Sequence, residues 1–96
     1  MTFDRNMTPH VDTRGRGSDL VLLHGWGSNA RVMGALTAEL GGDCRVSALD
    51  LPGFGAGGEQ EFPVDPQPLI DWLRQRIPAG AVLVGWSLGG AIALLF

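Results

Sequence analysis

A single cysteine, Cys44, stands in this chain of 96 residues. That excludes an internal disulfide and any zinc cluster built on cysteines, and Cys44 itself reads as a small buried hydrophobe. Basic residues are few as well. Lys and Arg total 7 against 10 Asp and Glu, for a net charge of −3. No basic stripe exists to neutralise a phosphate backbone, so no nucleic-acid partner is expected. The longest apolar stretch, residues 91–96, is far too short to span a bilayer, and no membrane partner is expected. The first twenty residues lack the apolar core of a secretory signal, which leaves the cytoplasm as the default compartment. The length allows at most one small domain. The apolar fraction of 45% is too high for a disordered segment.

What the chain has in excess is glycine, 15 of 96 residues, about twice the usual ~7%. The glycines cluster beside strand-like runs, at Gly25 and Gly27, from Gly53 to Gly58, and from Gly85 to Gly90. Glycine at strand ends marks tight turns where backbone approaches something closely.

Residues 1–9 are polar, without periodicity, and read as a loose tail. Residues 10–96 then form one α/β unit. Residues 10–13 suit a short strand. The runs 20–23 and 81–84 are continuously apolar, as in strands of a parallel sheet covered on both faces, and 45–49 is a weaker strand. Between them, Ser28 is placed to cap a helix over 29–40 whose stripe is Val32, Met33, Leu36 and Leu40, ended by Gly41 and Gly42. A second helix begins at Asp65 as N-cap with Pro66 first, carries Leu69, Ile70, Leu73 and Ile77, and ends at Pro78 and Gly80. Arg74 and Arg76 read as its solvated face. A third helix starts after Ser87, with Ile92, Leu95 and Phe96 as apolar content. Strand and helix alternate, which predicts a doubly wound, mostly parallel sheet with its site at the carboxyl ends of the strands.

Gly85-Trp86-Ser87-Leu88-Gly89 fits G-x-S-x-G directly between a strand and a helix. In that setting Ser87 occupies a sharp, strained turn with its hydroxyl held over the sheet, and the two glycines remove side chains that would collide. The helix that follows aims N–H groups at developing negative charge. Acyl transfer needs two N–H donors for the oxyanion. Leu88, after the nucleophile, supplies one, and Trp26, in the loop His24-Gly25-Trp26-Gly27, is placed to supply the other. His24 is read as ordering that loop through hydrogen bonds, not as the catalytic base. Trp26 and Trp86 flank Ser87 and suit the lining of an acyl pocket, with core packing as the alternative. Asp50, ahead of Leu51-Pro52-Gly53-Phe54-Gly55, is read as a loop stabiliser.

L-V-L-L-H-G-W-G, D-L-P-G-F-G and G-W-S-L-G-G, in this order and each at a strand end, resemble the α/β-hydrolase superfamily over residues 20–96. Within it, H-G-W-G-x-N-A with G-W-S-L-G-G is similar to the pimeloyl-[acyl-carrier protein] methyl ester esterases of biotin synthesis. Two departures are visible: Gly55 is followed by Ala56-Gly57-Gly58, without the serine many relatives carry there, and no aromatic stands near Met33, where relatives usually carry one. The resemblance implies a serine carboxylic-ester hydrolase that needs no metal or organic cofactor. Ser87 would be the nucleophile, Trp26 and Leu88 the oxyanion donors, and His24, Gly25, Trp86 and Gly89 pocket or loop supports. Its substrate would be a small acyl ester, carried on acyl-carrier protein. Other reactions of the same fold (acyltransferase, perhydrolase, C–C hydrolase, lipase) and a non-catalytic remnant are the alternatives.

The resemblance also places a triad Asp and His after the nucleophile. Here the only histidines, His10 and His24, precede Ser87, and nine residues follow it. The expectation is an N-terminal part of an esterase, nearly inactive alone. The strand 81–84 would be an apolar edge, so the isolated chain is expected to be marginally stable and to self-associate.

Overall fold

A computed structural model describes residues 11–52 and 65–96. The expected tail over 1–9, His10, and the loop from Gly53 to Gly58 lie outside the described residues.

The continuous apolar run becomes β2, Ser18–Leu23, and it is covered on both faces. Val21 and Leu23 pack with Leu49, Leu69, Trp72 and Leu73 on one side. Leu22 packs with Ala30, Met33, Val46 and Ala48 on the other. A strand with no solvent face needs no polar alternation, which is why its sequence reads as unbroken hydrophobics. The flanking strands are β1, Val11–Arg14, β3, Cys44–Leu49, and β4, Val82–Gly85. The order across the sheet is β1-β3-β2-β4. β2 runs parallel to β3 and to β4, while β1 is antiparallel to β3, so the sheet is mixed with a parallel centre.

The expected helix over 29–40 is two pieces. A 3-10 turn spans Ala30–Met33 and α1 spans Gly34–Leu40. Asn29, not Ser28, is the cap: its side-chain oxygen accepts from the Val32 N–H at 3.0 Å. The tighter turn also rotates the face. Ala30, Met33 and Thr37 are buried, whereas Val32 and Leu36 are exposed, against the stripe expected of a regular helix. Cys44 is half-buried beside this cluster rather than fully enclosed.

α2, Pro66–Arg74, starts as its sequence predicts, with Asp65 accepting from the Gln67 N–H at 3.0 Å and Pro66 in the first turn. It ends earlier than Pro78, although the Ile77 N–H still bonds to Leu73 O at 2.8 Å. Trp72, outside the expected stripe, is fully buried. Arg76 is not a plain solvated residue. Its guanidinium lies 4.6 Å from the Trp72 ring centre and donates to Trp72 O at 2.9 Å, and partial burial pushes its pKa down. α3, Leu88–Leu95, buries Gly89 and Ile92 but leaves Leu95 and Phe96 exposed.

Register sets the functional end of the sheet. Leu23 lies opposite Leu49 on one side and Gly85 on the other. The loops that leave β2, β3 and β4 therefore emerge side by side.

Candidate active site

Ser87 sits between the end of β4 and the start of α3 with φ 57° and ψ −114°. It is the one non-glycine residue with positive φ among the described residues. Such a conformation costs of order 1–3 kcal/mol and persists only where its surroundings enforce it. Here the enforcement is visible. The Trp86 N–H donates to Leu23 O at 3.1 Å, which ties the turn to β2. The Gly89 N–H closes onto Trp86 O at 3.0 Å, and the Ala91 N–H takes Ser87 O at 3.2 Å. A side chain on Gly85 would run into the backbone of Gly89, and one on Gly89 into the carbonyls of Leu23 and His24. Gly25 is nearly as tight, since a Cβ there would lie 3.3 Å from Trp86 O and 3.4 Å from the Ser87 Cβ. The loop after β2 is thus pressed directly against the Ser87 turn.

His24 is fully buried and both its ring nitrogens are engaged. Nδ1 lies 2.8 Å from Gly25 O, and the Leu51 N–H donates to Nε2 at 3.0 Å. A carbonyl can only accept and a backbone amide can only donate. The ring is therefore the neutral tautomer with its proton on Nδ1. Its lone pair faces Leu51, not Ser87. Asp50 supplies a second tie between the same loops, accepting from the Ala30 N–H at 2.6 Å in a buried setting. The spacing of the motifs could not reveal that its partner is a backbone amide 20 residues away.

Trp26 and Trp86 are not core residues; they are 69% and 61% exposed. With Gly25, Gly27, Ser28, Val32 and Ser87 they line an open cleft of about 330 Å³. Val32 is here because the 3-10 turn rotates it out of the core, a change that helical periodicity cannot anticipate. Leu88 is half-buried against the α2 side of the core, and its N–H belongs to the first turn of α3, where N–H groups have no acceptor inside the helix. The structure therefore brings Gly25, Trp26, Trp86 and Ser87 to one cleft, with His24, Leu88 and Gly89 immediately behind it. Among the described residues no three His, Cys, Asp or Glu side chains converge, and no helix is long and apolar enough to cross a membrane.

The same fold recurs in known proteins. The profile of the alpha/beta hydrolase family matches residues 20–96. A pimeloyl-[acyl-carrier protein] methyl ester esterase of Shewanella sp. (strain MR-7) is 48% identical over 84 residues, covering 88% of this chain and 31% of the relative. An esterase of the same name from Vibrio cholerae is 42% identical over 87 residues, covering 91% of this chain and 34% of the relative. Among solved structures, an E-2-(acetamidomethylene)succinate hydrolase superposes with a TM-score of 0.78 at 26% identity, over 96% of this chain and 36% of that one. The chain spans about a third of the length of the curated relatives it matches. The profile match covers most of the chain, β2 to α3, and the chain belongs to the alpha/beta hydrolase family.

Proposed function

We propose that this chain is the nucleophile-bearing part of a serine carboxylic-ester hydrolase that acts on the methyl ester of a pimeloyl group held by acyl-carrier protein. The observation that carries the reading is Ser87 in its left-handed turn on the wall of the cleft. The names and identities of the Shewanella and Vibrio relatives support the substrate. The Ser87 oxygen attacks the ester carbonyl and loses its proton to a base. The Trp26 and Leu88 N–H groups hold the resulting oxyanion, methanol leaves with that proton, and water then hydrolyses the acyl-enzyme.

The base is not His24, whose lone pair accepts from Leu51. The other histidine, His10, also precedes Ser87. A serine without its base typically loses ~10⁴ to 10⁶ in kcat, so this chain alone turns over little ester.

The test is a chimera in which this chain replaces the matched third of the Shewanella esterase. It should hydrolyse methyl esters of pimeloyl-acyl-carrier protein, and Ser87→Ala should abolish the activity. A folded chimera without activity, or one unaffected by Ser87→Ala, overturns the reading.

A further inference from the structure

Ser28 Oγ is the one buried side-chain oxygen or nitrogen without a hydrogen-bond partner among the described residues. Its backbone is well held, since the Ser28 N–H donates to Gly25 O at 3.1 Å. Capping does not explain the side chain, because Asn29 does that work. A buried donor with no acceptor is costly, and each one in a folded protein calls for an explanation. Ser28 lines the same cleft as Ser87. The other side chains on that wall are Trp26, Val32 and Trp86, which offer a ligand a mostly apolar surface.

A serine hydroxyl moves between three staggered positions. In leaving its present one, Ser28 gives up no hydrogen bond. We propose that Ser28 is the specificity hydroxyl of this cleft: it turns to donate to a second acceptor oxygen in the acyl part of the ester held at Ser87. The ligand class is therefore an ester whose chain carries a further carbonyl or ester oxygen, in preference to a plain alkanoyl ester. The proposal rests on the reading of Ser87 as nucleophile and adds what selects the acyl group.

The experiment compares dimethyl pimelate with methyl octanoate, two neutral esters of similar length, of which only the first has a second ester group. Binding is followed through the indole N–H signals of Trp26 and Trp86 in this chain, with the fully buried Trp72 as internal reference. Ser28→Ala should weaken dimethyl pimelate about 3- to 10-fold relative to methyl octanoate, the size of one hydrogen bond. Taking the ratio between the two esters removes their difference in hydrophobicity. A ratio unchanged within about 2-fold, or no shift with either ester up to its solubility limit, overturns the proposal. The Tm of Ser28→Ala should stay level or rise, because no bond is lost, and a clear fall would show that Ser28 has a structural partner and sink the idea. These outcomes are separate from the nucleophile reading, whose failure shows in the chimera, as no activity when folded or as activity that survives Ser87→Ala.

Discussion

The Leu51 N–H donates to His24 Nε2 at 3.0 Å, which joins the loop after β3 to the loop after β2 through a fully buried ring. His24→Ala leaves that amide and the Gly25 carbonyl without partners and opens a cavity. A loss of about 3 kcal/mol of stability is expected, measured by urea unfolding. A change under about 1 kcal/mol would mean that water replaces the ring at no cost.

Glycines at the Ser87 turn and away from it should behave as a graded series. Gly89→Ala drives a methyl into the carbonyls of Leu23 and His24 and should cost about 3 kcal/mol or more. Gly25→Ala, with contacts at 3.3 and 3.4 Å, should cost about 1 kcal/mol. Gly34→Ala meets nothing within 4 Å in a helical conformation and should stabilise by about 0.5–1 kcal/mol. Thermal melts of the three variants check the order.

The Asp19–Arg45 pair sets a small acid limb. The hydrogen bond from Arg45 Nε at 2.6 Å, aided by the guanidinium charge against partial desolvation, holds the Asp19 carboxyl below its ordinary 3.8. A carboxyl depressed by folding stabilises at pH values above its unfolded pKa and loses that contribution as pH falls through the folded one. Stability from this pair should thus be intact at neutral pH and fade below about pH 4. Asp19→Asn should flatten that part of the profile, and 1 M salt should do the same, because the pair is exposed.

β4 pairs with β2 alone among the described residues, and Val82 on it is 58% exposed. Leu94 and Leu95 are 90% and 62% exposed, and no Asp, Glu, Lys or Arg follows Arg76. Nothing on this edge repels another strand. The chain should self-associate at micromolar concentration in sedimentation velocity runs, and Val82→Lys should shift it toward monomer. A monomer at every concentration for the unmutated chain would contradict this.

Most of this fold is legible in the sequence because its signals are local. Asp65-Pro66 encodes its own helix start, and the unbroken run of β2 encodes burial on both faces. Glycines at 85 and 89 encode the close crossing of β4 and α3. The signals fail where tertiary contacts decide. A helix over 29–40 splits because Asn29 caps a tighter turn and Asp50 fixes the Ala30 amide. That shift carries Val32 from core to cleft and leaves Ser28 unpartnered. Trp72 follows Leu69 by three residues and so belongs to the buried face of α2 although the expected stripe omits it, and Arg76 is drawn onto its ring. The tryptophans at 26 and 86 were ambiguous for the opposite reason: composition cannot tell an aromatic that packs from one that waits for a ligand.

The rung from the Trp86 N–H to Leu23 O spans residues far apart along the chain. It is closed only after β2 and β4 have met, and the backbone of Ser87 is held in its strained form by that closure. The serine therefore matures late in folding, after long-range pairing. A phosphonate probe that reacts with Ser87 would report the state of the sheet as well as the chemistry of the hydroxyl. A chain that had collapsed without pairing these strands would hide its defect from a measure of helix content and reveal it at this one side chain.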